Sequence, residues 1–165
     1  MTSDIYAPCP PLKMCFQPSD FKGCPTGQTL PAEFQVDVTR LRDPTYCKPR
    51  QIFYGFGLNI QDFIDYHQKY QLPPPLPTET RSGRWTRMMD QVLEDLCNAC
   101  DFDLRLVLPV SVEYCCMFSL YDSHTIAAKK LEDNEEQEVI QIIRERLVSV
   151  LTSQNARWFY SYIEK

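Results

Sequence analysis

Two cysteines, Cys97 and Cys100, have a spacing that is typical of a zinc site or of a redox-active pair. At Cys-x-x-Cys spacing, two thiolates converge on one zinc ion or form a redox couple. Zinc needs two further ligands, and the chain has no second Cys-x-x-Cys pair and no closely spaced pair of histidines. The pair also lies at the end of a predicted helix, where the helix dipole disfavours a thiolate. We therefore interpret both thiols as core residues, because free cysteine packs as a small hydrophobic side chain.

The second group of candidate metal ligands lies in irregular segments and consists of Cys9, Cys15, Cys24 and Cys47. Ligands that are widely spaced in sequence can still converge on zinc, and a bound metal would order an irregular segment. Ordinary burial is the favoured interpretation, and disulfide pairing is the alternative for a secreted protein. We therefore predict no cofactor and keep these four cysteines as the candidate zinc ligands.

The candidates for a catalytic group are Cys115, Cys116, His124 and Asp122. A nucleophilic enzyme needs a thiol beside a base, and a carboxylate that orients the base. The chain has two histidines, and His124 follows a predicted strand that carries both thiols. The segment 122–124 is also typical of a turn in which side chains bind the backbone. The other histidine, His67, lies on the inward face of a predicted helix, and we interpret it as a core residue.

Gly55 and Gly57 lie between a predicted strand and a predicted helix, as in a loop that binds a dinucleotide. The third glycine of that motif would fall at Ile60, and the chain contains no Walker sequence. We therefore interpret the two glycines as part of a turn or a bulge.

A candidate protein-binding surface lies near the start of a predicted helix and consists of Arg81, Arg84, Trp85 and Arg87. Arginine and tryptophan are favoured at interfaces. Positive charges at the positive end of a helix dipole mildly destabilise the helix, which suggests that these arginines have a functional role. The alternative is a solvated face in which Glu79 and Asp90 partner the arginines. The nearby prolines, Pro74–Pro77, are interpreted as a stiff connector rather than as a polyproline ligand.

Composition limits the classes of protein to which the chain belongs. Its 165 residues fit one domain, and 44% hydrophobic residues are typical of a globular protein. A net charge of −5 argues against a general nucleic-acid-binding surface. No apolar run reaches the roughly 18 residues that a membrane span needs, and Met1–Lys13 lacks the apolar stretch of a secretory signal. We expect a soluble, cytoplasmic protein that binds neither membranes nor nucleic acids.

Periodicity in the sequence predicts an α+β fold with about five mostly antiparallel strands packed against two or three helices. A proline- and cysteine-rich arm covers residues 1–30, and a single domain follows at 31–165, with a proline-rich linker at 72–83. The predicted strands are 33–41, 51–56, 104–108, 110–120 and 156–163, and the main predicted helices are 60–70, 85–100 and one that begins at Asp133. A single long strand bent at Pro109 is an equal alternative to the separate strands 104–108 and 110–120. Asn59 is predicted to cap the first helix, with Asp62 in its first turn.

Without a catalytic constellation, the sequence favours a protein-interaction or regulatory domain that binds another protein or a second copy of itself. The binding surface of such a domain would be an aromatic-rich sheet edge or the Arg81–Arg87 region. This hypothesis predicts an exposed apolar or Arg/Trp patch. The first alternative is a cysteine- and histidine-dependent enzyme or a small-ligand protein with a pocket near Cys115, Cys116 and His124. The second alternative is a zinc-stabilised domain.

Overall fold

Four strands form one antiparallel sheet in the order β2-β3-β1-β4. The computed structural model describes residues 29–111, 113–147 and 155–161. The strands are β1 (Ile52–Leu58), β2 (Arg105–Val107), β3 (Cys116–Asp122) and β4 (Arg157–Tyr160), and the helices are α1 (Ile60–Lys69), α2 (Arg81–Cys100), α3 (Ile126–Lys129) and α4 (Asp133–Arg146). This single α+β domain confirms the predicted fold class. The predicted arm lies outside the described residues, except for its last two.

The central strands β1 and β3 are buried along their whole length. One face of the sheet carries Tyr54, Phe56 and Leu58 into the main core, which the helices complete. The opposite face forms a second, smaller cluster around Phe53 and Met117. Because both faces are covered, neither strand shows the alternation of buried and exposed residues that is typical of a sheet with one solvated face.

A bulge interrupts the pairing of β1 with β3 between Tyr54 and Gly55. Gly55 pairs with Ser119, whereas Tyr54 pairs with Tyr121, so Leu120 is the additional residue of β3. A Cβ atom on Gly55 would overlap the carbonyl oxygen of Phe118. Only glycine therefore fits this close approach of the two backbones, and of the two interpretations left open for the glycines, the structure has a bulge at Gly55.

The helices begin at residues that satisfy their free amide groups. The backbone N–H of Asn59 donates to Asp62 Oδ2 at 2.7 Å at the start of α1, which confirms the predicted cap. Thr80 Oγ1 accepts from the N–H of Gly83 at 3.1 Å at the start of α2. This cap places the start of α2 inside the predicted linker 72–83, four residues before Trp85.

One polar junction ties the three longer helices together. The hydroxyl of Tyr66 on α1 donates to Asp95 Oδ2 on α2 at 2.7 Å. Arg146 of α4 donates to the same oxygen at 3.0 Å, and its guanidinium lies 4.7 Å from the ring centroid of Tyr70. Burial, followed by the hydrogen bond to Asp95, raises the pKa of Tyr66, so that this side chain stays a neutral donor.

Residues 109–111 and 113–114, which we name the strap, lie beside the β4 edge and over the second face of the sheet. The N–H of Val110 donates to Tyr160 O at 2.7 Å, and Pro109 forms an isolated bridge with Ser161 beside β4. Tyr114 lies over Gly57, where a Cβ atom would overlap its ring. Arg157 donates to Glu113 at 3.0 Å. The strap thus crosses from the β2 side of the sheet to the β4 edge.

The predicted strand at 33–41 is wrong. Two 3-10 turns, Ala32–Phe34 and Val38–Arg40, occupy this segment. Asp37 accepts hydrogen bonds from the N–H and the hydroxyl of Thr39, at 3.0 and 2.6 Å, and such local bonds compete with strand pairing. Of the predicted strand 110–120, the part from Cys116 onward belongs to β3, whereas the described residues before it (110–111 and 113–115) lie outside the four strands.

The bulge glycine provides a test of the fold. We expect Gly55→Ala to lower the free energy of unfolding by about 2–3 kcal/mol, because the methyl group forces two paired backbones apart. Gly83→Ala is the control, since its Cβ would lie 3.2 Å from the flexible Thr80 side chain and alanine favours a helix. The control is expected to change stability by less than about 1 kcal/mol. Urea denaturation measures the free energy of unfolding of both variants. Equal losses of stability in Gly55→Ala and Gly83→Ala would contradict a specific requirement for glycine at the bulge.

Candidate ligand-binding cleft

An open cleft of about 750 Å³ lies at one end of the sheet. Its walls are the segment 29–38, the turn and short helix at 123–130, and the first half of α4. The volume lies within the range of about 300–1,000 Å³ that is typical of ligand sites. The cleft is therefore our candidate functional site.

Three aromatic side chains form the floor of the cleft: Tyr54, Tyr121 and Trp158. The rings of Tyr54 and Tyr121 are stacked with centroids 6.4 Å apart, and the ring of Trp158 lies 5.2 Å from that of Tyr54. The β1–β3 bulge brings the two tyrosines together, since it makes Tyr121 rather than Leu120 the partner of Tyr54. The floor thus offers an apolar, rigid surface for the stem of a ligand.

Glu136 of α4 is an acidic group that lines the cleft and interacts with the tyrosines of this floor. Its carboxylate interacts with the hydroxyl of Tyr121, which accepts a hydrogen bond from the N–H of Leu131 at 3.0 Å. Oε2 of Glu136 is buried and has no hydrogen-bond partner within the described part of the chain. An unpartnered buried carboxylate oxygen costs about 1–3 kcal/mol or more, so a donor on a ligand would bind favourably here.

The tyrosines of the floor are neutral at physiological pH. Burial raises the pKa of Tyr54 to about 12, and the charge of Glu136 acts in the same direction. Burial likewise raises the pKa of Tyr121 to about 12, although the Leu131 N–H opposes the shift. Phenols with such pKa values are poor bases and poor nucleophiles, so their role in the cleft is packing and hydrogen bonding.

His124 lies on the wall of the cleft, in a turn that Asp122 holds. Asp122 Oδ1 accepts from the N–H groups of His124 and Thr125 at 2.9 and 3.0 Å. The ring Nε2 of His124 lies 2.8 Å from the carbonyl oxygen of Pro49. Burial alone would raise the pKa of Asp122, but hydrogen bonds from Thr125, Gln51 and His124 outweigh burial and lower it.

The structure does not bring the four catalytic candidates together. Cys115 and Cys116 lie at the start of β3, whereas Asp122 is its last residue and His124 follows it. At about 3.4 Å per residue, the two ends of this strand are on the order of 20 Å apart. The interpretation of 122–124 as a turn is confirmed, and the pocket expected near His124 is present without the two thiols.

The arginine candidates contact their own chain. Arg84 donates to the carbonyl oxygens of Glu79 and Pro77 at 3.1 and 3.2 Å, and Arg87 forms an ion pair with the Glu79 side chain. Trp85 belongs to the main core. The arginine contacts hold the proline-rich segment against the start of α2. Because Trp85 lies in the core, the predicted Arg/Trp surface lacks its tryptophan. The fourth candidate, Arg81, is exposed on the first turn of α2.

The candidate zinc ligands are only partly within the described residues. Cys47 is exposed, and Cys9, Cys15 and Cys24 lie outside the described ranges, so the zinc interpretation stays a prediction. Within residues 29–111, 113–147 and 155–161, no three His, Cys, Asp or Glu side chains are grouped as metal ligands.

The helical Cys-x-x-Cys pair packs as predicted. Cys100 is buried and Cys97 is half-buried at the end of α2. Burial raises the pKa of both thiols. The Cys97 thiol donates to Leu104 O at 3.8 Å, and the Cys100 thiol donates to Phe102 O at 3.9 Å. The buried histidine is likewise confirmed, since His67 Nε2 lies 3.1 Å from Gln91 Oε1.

Sequence reasoning missed Tyr54, Tyr121, Trp158 and Glu136 as a group. The three aromatic residues are typical of buried strands, and Glu136 is typical of the first turn of a helix. The bulge that brings the tyrosines together depends on the register of strands separated by more than fifty residues. The one local signal was Gly55, for which a bulge was an open interpretation.

Comparison with protein-family models, with curated proteins and with solved structures finds no match to this chain. None of the described helices has the length and apolar character required to cross a membrane. The function therefore has to be inferred from the cleft itself.

The turn at the cleft wall should depend on pH. The pKa of Asp122 is lowered by folding, so its ionised form stabilises the protein above the ordinary value of about 3.9, and this contribution is lost as the pH falls through the lower, folded value. We expect Asp122→Asn to cost about 1–3 kcal/mol at about pH 7. Urea unfolding at about pH 7 and pH 2 should show that difference shrinking in acid. Asp103→Asn, at an exposed aspartate, is the control. If the loss of stability in Asp122→Asn did not depend on pH, ionised Asp122 would not be the group that stabilises the turn.

Proposed function

We propose that this protein is a non-catalytic interaction domain that binds a lysine side chain of a partner protein in the cleft. The observation that carries the proposal is the buried, unpartnered Oε2 of Glu136 beside an aromatic floor. An ammonium group supplies the missing donor together with the opposite charge. The four-carbon stem of lysine packs along the aromatic rings that form the floor.

The charges around the cleft support a cationic ligand. Lys130 at the rim lies 3.6 Å from Asp133 of the same turn. Within the described residues, the Glu136 carboxylate forms no ion pair with a lysine, arginine or histidine side chain. The net charge of −5 attracts basic partners over longer distances.

The shape of the site supports a partner protein rather than a fully enclosed small molecule. The cleft is open to solvent along one side, and exposed Val38 lies on its rim. A peptide can insert one side chain while its backbone stays outside. We place this interaction in the cytoplasm, where the exposed Cys47 and Cys115 thiols remain reduced.

The sheet edge and the Arg81–Arg87 region, the two surfaces favoured by sequence, give less support to binding. The strap occupies the β4 edge, and the core contains Trp85. A second copy of this chain stays a candidate partner only if it presents a lysine to the cleft.

Butylammonium, a mimic of the lysine side chain, tests the proposal. We expect it to shift the NMR signals of Tyr121 and His124, while butanol of the same shape does not, because the ammonium group binds Glu136. Glu136→Gln should weaken this binding about tenfold, which corresponds to about 1.4 kcal/mol. Exposed Glu138→Gln on the same helix is the matched control and should bind like the parent protein.

A lysine-containing peptide extends the same measurement. The peptide should bind more tightly than its glutamine counterpart and compete with butylammonium for the cleft. Equal shifts with butanol, or equal affinities of Glu136→Gln and Glu138→Gln, would disprove a carboxylate-directed lysine site.

A further inference from the structure

The loop at residues 38–49, which we name the rim loop, borders the cleft at both of its ends. Val38 lines the cleft at the start of the loop. At the end of the loop, the carbonyl oxygen of Pro49 lies 2.8 Å from Nε2 of His124, which also lines the cleft. A peptide that is bound in the cleft can therefore extend onto the rim loop.

Local bonds hold the rim loop in one shape. The N–H of Asp37, the residue before the loop, donates to the hydroxyl of Tyr46 at 2.8 Å. The guanidinium of Arg40 lies 4.9 Å from the ring centroid of Tyr46, and its Nη2 lies 3.3 Å from Asp43 Oδ2. Asp43 Oδ1 also accepts from the N–H and the hydroxyl of Thr45, at 2.8 and 2.6 Å. A loop that is already ordered loses little conformational entropy when it binds a partner.

The rim loop exposes two large apolar side chains beside the cleft. Val38 is 65% exposed and Leu41 is 48% exposed. Leu41 directly follows the 3-10 turn Val38–Arg40 and keeps helical dihedral angles. Side chains three residues apart in such a turn lie on the same side of it. Val38 and Leu41 therefore form one apolar surface that continues from the cleft and favours contact with a partner.

The cleft and the rim loop carry charges of opposite sign. On one side, α4 places the carboxylate of Glu136 in the cleft. On the other side, the rim loop carries three cations and one carboxylate, and Arg40 forms an ion pair with that carboxylate, Asp43. Arg42 is exposed and forms no ion pair within the described residues. A ligand with one positive and one negative group would therefore bind in a single orientation.

We propose that the rim loop binds the same partner segment as the cleft, and that this segment carries an acidic residue two to four positions from its lysine. The acidic side chain binds Arg42, since a guanidinium offers a carboxylate two parallel hydrogen bonds. An apolar residue between the lysine and the acidic residue covers Leu41. This second contact rests on the proposed lysine site, because the lysine fixes where the segment begins.

The spacing of the two partner residues follows from the geometry of the rim loop. A 3-10 turn rises about 2 Å per residue, so Arg42 lies on the order of 8 Å beyond Val38. An extended peptide advances about 3.3 Å per residue, so two to four residues span a comparable distance.

The charges favour such a peptide over an anionic lipid surface. A lipid surface would attract the rim loop but repel the acidic first turn of α4, which contains Asp133, Glu135 and Glu136. The net charge of −5 adds to this repulsion. A segment with one lysine and one acidic residue complements both sides.

Capped tetrapeptides test the second contact on the full-length protein. Lys-Ala-Leu-Glu should bind about threefold to fivefold more tightly than Lys-Ala-Leu-Gln, as expected for one exposed charge pair. In Arg42→Gln the two peptides should bind equally, and Arg42→Glu should prefer Lys-Ala-Leu-Arg to Lys-Ala-Leu-Glu. Leu41→Ser should weaken the binding of each peptide about threefold, because the peptide leucine loses an apolar contact. Titration of the NMR signals of Tyr121 and His124 measures the affinities.

Matched variants and a smaller ligand separate the rim loop from the cleft. Arg81→Gln changes an exposed arginine of α2, and Leu76→Ser changes a leucine that is 51% exposed; both should bind the peptides like the parent protein. Butylammonium is too short to reach beyond the cleft, so Arg42→Gln and Leu41→Ser should leave its binding unchanged. Circular dichroism checks that each variant is folded.

The contrary results are distinguishable. Absence of butylammonium binding to the parent protein would overturn the lysine site and the second contact together. Normal butylammonium binding with equal affinities for Lys-Ala-Leu-Glu and Lys-Ala-Leu-Gln would overturn the second contact alone. Dimerisation that Leu41→Ser abolishes would assign the rim loop to a second copy of this chain. Binding to phosphatidylserine vesicles that Arg42→Gln abolishes would assign it to a membrane surface, and either result would overturn the acidic segment as its partner.

Discussion

The register shift between β1 and β3 is the constraint on which the rest of the structure depends. Without the extra residue, Tyr54 would pair with Leu120, and Tyr121 would turn toward the opposite face of the sheet. The bulge instead stacks the two tyrosines on the helix side, where they form the floor of the cleft. Gly55 makes this arrangement possible, because a larger residue would collide with the Phe118 carbonyl group.

The two ends of β3 serve different parts of the structure. Its last residue, Asp122, organises the turn at the cleft wall, and its first residue, Cys116, contacts Met89 of α2 at the opposite end of the strand. Burial along the strand keeps the two ends rigid relative to each other. The Tyr66–Asp95–Arg146 junction serves the same purpose for the helices, because it fixes three of them around one carboxylate oxygen.

Elements with local signals were predictable from the sequence. The cap at Asn59, the apolar stripe of α2 and the burial of His67 all follow from residues within a few positions of each other. The segment 33–41 was wrongly predicted as a strand because apolar and polar residues alternate along it. That alternation does not reveal whether a neighbouring strand is present to pair with the segment. The aromatic floor and the acidic group of the cleft were beyond prediction, since Tyr54, Tyr121 and Glu136 meet only through long-range strand register and helix packing.

The strap also determines how this sheet behaves toward other chains. An open edge offers unpaired N–H and C=O groups to any extended segment, and such edges seed aggregation. Here Pro109 and Val110 occupy part of the β4 edge, and the opposite edge is β2, only three residues long. Neither provides a long template for strand addition. The described edges therefore disfavour recognition by backbone pairing, which agrees with the side-chain recognition that we propose for the cleft.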